Sequence, residues 1–154
     1  MNARATILTL AVGFAGAALA HAEDPNMGTW KLNEAKSKFS AGAPKNTLVT
    51  YEAVGDSAKI VVVGVDGEGK PTHSEWTGKF DGKDYAVTGD ATSDTRAYTK
   101  VDDHTLDFTV KNKGKVTATG KVVVSADGKS RTVTVTGTDS KGNKMRTSSV
   151  FDKQ

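Results

Sequence analysis

The sequence predicts an all-β protein, a single antiparallel up-and-down β-barrel of about ten strands (eight to ten), and three observations support this prediction. Valine and threonine dominate after residue 46, and such β-branched residues favour the pleated backbone of a strand. Turn-forming pairs that contain Asp or Gly recur at short intervals, as they do in a chain of hairpins. Between the turns, apolar and polar residues alternate with the period of a strand that buries one face.

The turn signals divide the chain into ten segments. The turns lie at Gly55-Asp56, Asp66-Gly67, Asp81-Gly82, Gly89-Asp90, Asp102-Asp103, Lys113-Gly114, Asp127-Gly128 and Lys141-Gly142-Asn143. The predicted strands span residues 28–33, 46–54, 58–66, 71–80, 83–88, 94–101, 104–111, 115–125, 130–138 and 144–152. In the fourth strand, for example, Trp76 and Phe80 share one face, and His73 and Glu75 share the other. Each strand therefore has one buried and one solvated face.

Ten strands joined by tight turns would leave two exposed sheet edges unless the sheet closes into a barrel. A β-sandwich is the alternative, but it needs longer connections between its sheets, and only residues 34–45 have the length for one. A membrane barrel is disfavoured because the solvated faces carry Lys, Glu and Asp, which are costly in lipid.

Residues 34–45 interrupt the alternation. Asn33 is a suitable N-cap, and Ala35 and Phe39 are four residues apart, as on one face of a helix. We expect one short helical segment here, after the first strand, which lies over one mouth of the barrel with Phe39 pointing inward. A surface loop with one buried anchor is the alternative.

The first 22 residues have the features of a cleaved signal peptide. Arg4 precedes an uncharged, mostly apolar run from Ala5 to Ala20, and Ala20-His21-Ala22 has the small residues of a signal-peptidase site. The run is short for a membrane anchor, the alternative, because a spanning helix needs about 20 apolar residues. We expect residues 1–22 to be removed, residues 23–154 to form one domain with no membrane span, and the protein to be periplasmic or secreted.

Composition excludes several classes of partner and chemistry. The formal net charge is +3, and the basic residues alternate with acidic ones, so a concentrated basic face for nucleic acid is absent from the sequence. Cysteine is absent, which excludes disulfides and thiolate metal sites. One hydrophobic core must therefore provide the stability.

The two ends of this domain resemble the calycins, the superfamily of the lipocalins and fatty-acid-binding proteins. Gly28-Thr29-Trp30-Lys31-Leu32 resembles their Gly-x-Trp first strand, and Ser149-Val150-Phe151-Asp152-Lys153 resembles the last strand of the fatty-acid-binding group. The chain is most similar to a bacterial, exported, lipocalin-like domain. The resemblance implies that Trp30 closes one end of the barrel beneath a late basic side chain, Arg131 or Arg146.

Two departures from the fatty-acid-binding group stand out. That group inserts two helices after the first strand, whereas residues 34–45 have room for about one. It also binds the fatty-acid carboxylate with an Arg-x-Tyr pair on the last strand, where this chain has Ser149 and Phe151. The resemblance therefore does not imply a fatty acid.

The chemistry-bearing residues do not form a catalytic or metal-binding pattern. His73 and Glu75 share a solvated face, and His104 begins a strand beside two aspartates. The sequence contains no His-x-His or His-Glu-x-x-His spacing. Gly67-Glu68-Gly69-Lys70 precedes no helix that could bind a phosphate. We expect no enzymatic activity, no catalytic residues, no metal and no cofactor.

A ligand site would need an apolar lumen and a few polar groups. The polar candidates are Arg96 and Tyr98, which share one face of a strand as Arg-x-Tyr; a solvent-facing Arg96 is the alternative, since Ala97, Thr99 and Val101 could form the inner face. Arg131 or Arg146 could contribute instead of covering Trp30. The apolar candidates are Phe39, Val49, Tyr51, Trp76, Phe80, Tyr85, Val87, Leu106, Phe108 and Val122.

These residues support two functions. The first is an exported barrel, expected to be a monomer, that binds or carries a small apolar or amphipathic molecule. The second is a structural or protein-interaction module of the cell envelope, with a barrel filled by its own side chains. The proportions of Thr, Ala and Val do not decide between them.

Overall fold

Ten antiparallel strands close into one barrel in the computed structural model, which describes residues 23–139 and 141–154. The predicted signal peptide lies outside these residues. The strands are β1 (Gly28–Phe39), β2 (Lys45–Val54), β3 (Ser57–Val65), β4 (Pro71–Gly78), β5 (Tyr85–Thr88), β6 (Thr95–Asp102), β7 (Thr105–Asn112), β8 (Lys115–Val124), β9 (Ser130–Thr138) and β10 (Lys144–Lys153).

Each strand pairs with its neighbours in sequence, and β1 pairs with β10 to close the ring. Trp30 lies opposite Lys153 in this last pair, and Leu32 lies opposite Phe151. The predicted up-and-down barrel of ten strands is therefore confirmed. The pairing around the ring is shortest at β5, which pairs with β4 at Glu75 and Trp76 and with β6 at Thr95 and Arg96.

The predicted helical segment after the first strand is wrong. Strand β1 continues to Phe39 and pairs with β10 on both sides of an irregularity between Asn33 and Lys38. The Asn33 Oδ1 atom does accept a hydrogen bond from the Lys36 N–H, at 3.3 Å, as a helix N-cap would. However, the Ser37 hydroxyl accepts a hydrogen bond from the Val150 N–H of β10, at 2.8 Å. Strand pairing therefore outweighs the single apolar pair that favoured a helix.

The barrel interior holds one hydrophobic cluster. Its largest fully buried apolar side chains are Trp30, Trp76, Ile60, Leu106 and Val122. These residues come from five different strands and face one another because the register places them on the same side of the sheet. For example, Trp76 lies opposite Ile60, and Leu106 lies opposite Val122.

The two ends of the barrel differ. At the end where β1 begins, which we call the plugged end, the segment of residues 23–27 crosses the opening. The Trp30 indole N–H donates a hydrogen bond to the Asn26 carbonyl oxygen, at 3.0 Å, and Asn26 is fully buried. Gly28 joins the segment to β1 with a φ of 107°, in the region that favours glycine. We call the opposite end, where β1 ends, the open end.

The close contact between Gly120 and Phe108 allows the interior packing to be tested. Gly120 of β8 lies beneath the Phe108 ring, and a Cβ atom at residue 120 would overlap that ring and the Thr134 carbonyl oxygen. We expect Gly120→Ala to lower the free energy of unfolding by about 1–3 kcal/mol through overpacking, measured by urea denaturation. Thr119→Ala, on the outer face of the same strand, should change it by less than about 0.5 kcal/mol. Equal stability of the two variants would contradict this packing.

Candidate functional site

The guanidinium of Arg131 lies among three aromatic rings at the start of β9. Its Cζ atom is 4.7 Å from the centroid of the Trp30 ring, 4.6 Å from that of Tyr51 and 5.2 Å from that of Phe151. Of Arg131 and Arg146, it is Arg131 that covers Trp30, and the Lys153 Nζ atom also lies 5.2 Å from the centroid of that ring. Arg146 is exposed on β10, where its backbone N–H donates to the Ser40 hydroxyl, at 3.0 Å.

Arg131 is buried without a counter-charge. The residue is 2 % exposed, and its Nε and Nη1 atoms are buried with no hydrogen-bond partner. Burial lowers the pKa of Arg131, while Tyr51 and Tyr98 act in the opposite direction. An arginine nevertheless remains charged in a protein. The burial of an unpaired charge is unfavourable for folding, and the aromatic rings around Arg131 do not supply a counter-charge.

Tyr51 links Arg131 to the opposite wall of the barrel. Burial raises the pKa of Tyr51, the nearby Tyr98 raises it further, and Arg131 lowers it. Tyr51 lies on β2 and Tyr98 on β6, so side chains from well-separated strands approach each other and Arg131 inside the barrel. The Tyr51 hydroxyl stays protonated at neutral pH and can donate a hydrogen bond.

Arg96, which the sequence indicated as a polar ligand contact, already forms an ion pair within the protein. Strand β6 places Arg96 and Tyr98 on the same face, with Tyr98 opposite Phe108. The Arg96 Nη2 atom is 2.7 Å from the Asp90 carboxylate, and the two side chains are 14 % and 17 % exposed. Asp90 also accepts hydrogen bonds from the Thr92 N–H and the Ser93 hydroxyl. This network fixes the loop between β5 and β6.

The predicted aromatic lining packs mainly against itself. The Trp76 ring centroid is 4.8 Å from that of Tyr98, 5.7 Å from that of Tyr85 and 6.2 Å from that of Phe80. Tyr98 in turn is 5.5 Å from Phe108. We call these five residues the aromatic chain. Phe39 is remote from the chain, half-buried near the end of β1 with the Lys45 Nζ atom 5.2 Å from its ring centroid.

A second part of the interior wall keeps partial solvent exposure. Strand register places its residues on the inner face: Val133 lies opposite the buried residues Val122 and Ser149, and Val135 lies opposite Gly120 and Thr147. We call this set the lumen wall. It comprises Leu32, Phe108, Val110, Val133, Val135 and Thr147.

Sequence reasoning placed Val133 and Val135 on a buried face but did not propose them as ligand contacts. Phe108 is the only lumen-wall residue that the sequence had indicated as a ligand contact. The signal for Val133 and Val135 was present in the alternation of β9, because these valines alternate with Thr132, Thr134 and Thr136. Nothing in the sequence indicated which inward-facing residues would remain accessible.

Two concavities lie elsewhere on the molecule. A cleft of about 570 Å³ opens at the plugged end, between residues 23–28 and the β2–β3 hairpin, with an apolar floor and four carboxylates at its rim. Lys79 spans this cleft through an ion pair of 2.7 Å with Asp56. A depression of about 400 Å³ lies on the outer wall; its outward-facing lining residues are Asp107, Thr109, Thr119, Lys121, Thr134 and Thr136.

His73 lies on an outer face and His104 lies at a turn. The His73 Nε2 atom is 3.2 Å from Glu75 on the exposed face of β4, and the His104 backbone N–H donates to Asp102 at a turn. Among residues 23–139 and 141–154, no three His, Cys, Asp or Glu side chains lie close enough to hold a metal ion. That same part of the chain contains no helix long and apolar enough to cross a bilayer.

Comparison with known proteins supports the fold. No protein-family model and no curated protein matches the chain. Among solved structures, the chain is similar to EF1p2_mFAP2b bound to DFHBI, with 12 % identity, a TM-score of 0.50, and coverage of 84 % of this chain and 94 % of that one. It is also similar to a redesigned β-barrel, mFAP1, bound to DFHBI, with 16 % identity, a TM-score of 0.47, and coverage of 84 % and 95 %.

The fold is a closed antiparallel β-barrel of ten strands, and the likeness to EF1p2_mFAP2b agrees with this fold. At 12 % identity the likeness concerns the fold alone, because one barrel fold can serve many functions. The function must therefore be argued from the residues of this chain.

The Asp90–Arg96 network predicts a pH-dependent contribution to stability. Burial acts to raise the pKa of Asp90, but the hydrogen bonds from Ser93 and Thr92 and the charge of Arg96 lower it overall. A carboxylate with a lowered folded-state pKa stabilises the fold above its unfolded-state pKa, about 3.9. That stabilisation is lost as the pH falls through the folded-state pKa.

We expect Asp90→Asn to lower the free energy of unfolding at pH 7 by about 2 kcal/mol, since it removes charge-assisted hydrogen bonds. The difference from the wild type should shrink as the pH falls through the folded-state pKa, measured by urea denaturation at a series of pH values. Glu68→Gln is a matched control, because Glu68 is exposed and pairs only with exposed Lys70. A difference that does not depend on pH would disprove the ionic role.

Proposed function

We propose that this chain is an exported, calycin-like barrel that binds one small apolar or amphipathic molecule in its lumen. The observation that carries this proposal is the partial exposure of the inward-facing lumen wall on β1, β7, β9 and β10. On the opposite side, the inward-facing Val49, Ile60 and Trp76 are buried. One side of the interior is therefore fully buried, whereas the apolar side chains of the other side are only partly buried, although Leu32, Phe108 and Val133 also pack against the buried cluster.

The composition of the lumen wall indicates the kind of ligand. Its side chains are apolar apart from Thr147, and buried Ser149 lies beside Val133 in the register. Apolar side chains with a few polar groups are typical of small-molecule sites. An apolar ligand that covered the wall would remove its exposed area from water, which is favourable by about 25 cal/mol per Å².

The alternative is a barrel that packs solid and serves as a structural or protein-interaction module. The aromatic chain favours this alternative, because Trp76, Tyr98 and their neighbours fill the barrel interior from β4 to β7. Under this alternative the lumen wall would be accessible only to water and would bind no apolar molecule.

A pair of tryptophan substitutions on one strand separates the two functions. Val135→Trp places an indole on the lumen wall, and Thr134→Trp places the same indole on the outer face of β9. The probe is N-phenyl-1-naphthylamine, a neutral apolar fluorophore. We expect the wild type and Thr134→Trp to bind it with the same Kd, and Val135→Trp to weaken binding at least about tenfold, or about 1.4 kcal/mol.

Fluorescence titration measures these constants, and near-UV circular dichroism checks that each variant is folded. If the wild type fails to bind the probe, or if both tryptophans weaken binding equally, the lumen is not the site. Mass spectrometry of the protein purified from its host and then denatured gives an independent test, because a physiological ligand would be released. Its thermal stabilisation of the folded state would then follow from mass action.

The exported location is a separate part of the proposal and rests on the sequence of residues 1–22. On expression of the full chain in a Gram-negative host, we expect the periplasmic fraction to contain a protein that begins at Glu23. Intact-mass measurement and amino-terminal sequencing check this outcome. Replacement of both Ala20 and Ala22 by Leu should block cleavage, since signal peptidase requires small residues there. A full-length chain in the cytoplasm would refute export.

A further inference from the structure

We infer that the ligand of this barrel is an organic anion, and that Arg131 binds its acidic group. This inference rests on the proposed function and adds the chemical class of the ligand. The observation behind it is a buried guanidinium that has no carboxylate partner and that lies on the same strand face as the lumen wall.

The position of Arg131 on β9 places it at the deep end of the lumen wall. Arg131, Val133 and Val135 alternate along the same face of the strand, which runs from the plugged end toward the open end. Phe151 lies opposite Arg131 on β10, and Ser149 follows opposite Val133. A ligand whose apolar part covers the two valines would direct its other end toward Arg131.

The charge of Arg131 is unmatched, in contrast to that of Arg96. Arg96 has the Asp90 carboxylate at 2.7 Å. No ion pair within residues 23–139 and 141–154 includes Arg131, although the sequence contains 18 Asp and Glu residues. A buried charge is normally paired, because the unpaired state carries the full desolvation cost. An anionic ligand would supply the missing charge.

The groups around Arg131 suit an oxyanion. Its Nε and Nη1 atoms have no hydrogen-bond partner and are available as donors. The Tyr51 ring centroid is 4.6 Å from the Arg131 Cζ atom, and tyrosine carries a hydroxyl donor. Charge-assisted hydrogen bonds from a guanidinium to a carboxylate or sulfonate are among the stronger polar contacts in proteins.

The competing explanation is that Arg131 only covers Trp30. The cation–π contacts with Trp30, Tyr51 and Phe151 stabilise the plugged end in either case. A purely structural arginine would affect stability but would not discriminate between an anionic and a neutral ligand. The test therefore needs two ligands that differ by one acidic group.

N-phenyl-1-naphthylamine and 1-anilinonaphthalene-8-sulfonate form such a pair, since they share one ring system and differ by the sulfonate. We expect the wild type to bind the sulfonate at least about tenfold more tightly than the neutral probe. Arg131→Met should reduce this ratio to about one while it leaves the Kd of the neutral probe within about threefold. Arg131→Lys, which keeps the charge but not the guanidinium, should give an intermediate ratio.

Arg146→Met is the matched control, because Arg146 is exposed on the outer side of β10. It should leave the ratio at its wild-type value. Near-UV circular dichroism and urea denaturation establish that each variant is folded. If Arg131→Met does not fold, the wild-type ratio and the Arg131→Lys ratio still decide the outcome.

The outcomes separate the two proposals. Equal binding of both probes by the wild type would overturn the anion inference and leave the proposed ligand-binding function intact. Binding of neither probe would overturn both. A preference for the sulfonate that persists in the Arg131 variants would show that another group recognises the anion, and would overturn the assignment to Arg131.

Discussion

The pairing of β1 with β10 is the constraint on which the rest of this structure depends. It runs from Trp30 opposite Lys153 to Phe39 opposite Thr147, so it engages β1 along most of its length. Once the sheet is closed, every second side chain of every strand must fit inside one cylinder. The same pairing draws residues 34–39 into the sheet and prevents the helix that their sequence favours.

Closure also explains why the interior is uneven. The plugged end concentrates large side chains, with Trp30 hydrogen-bonded to the segment that crosses the opening. The aromatic chain fills one side of the cylinder, and Phe108 takes up the space that Gly120 leaves free. On β9 the inward-facing residues beyond Arg131 are Val133, Val135 and Gly137, which are smaller than the aromatic residues of β4 to β7. The accessible lumen wall is a consequence of this distribution of side-chain size.

Arg96 and Arg131 differ in whether their charge is already paired within the protein. Both Arg96 and Arg131 carry a long cationic side chain on an inner strand face, and sequence reasoning favoured Arg96 because it precedes Tyr98 as Arg-x-Tyr. The structure gives Arg96 a carboxylate and two neighbouring hydroxyl groups in one network. Arg131 has the rings of Trp30, Tyr51 and Phe151 around its charge and forms no ion pair in the part of the chain that the structure describes. The difference depends on Asp90, whose role no local pattern in the sequence identified.

The ten strands could be predicted from the sequence, apart from the second half of β1, because β-branched composition, turn chemistry and period-two alternation are local properties. The same properties predicted the order of the strands and the phase of most residues, and the resemblance to the calycins indicated Trp30 as the closing residue. Three features became visible only in the folded chain: residues 34–39 extend β1, Arg96 rather than Arg131 is paired, and some inward-facing side chains remain partly exposed. These features depend on contacts between strands far apart in the chain, such as Asn33 with Val150 or Arg131 with Tyr51, and on the volume enclosed when all ten strands meet.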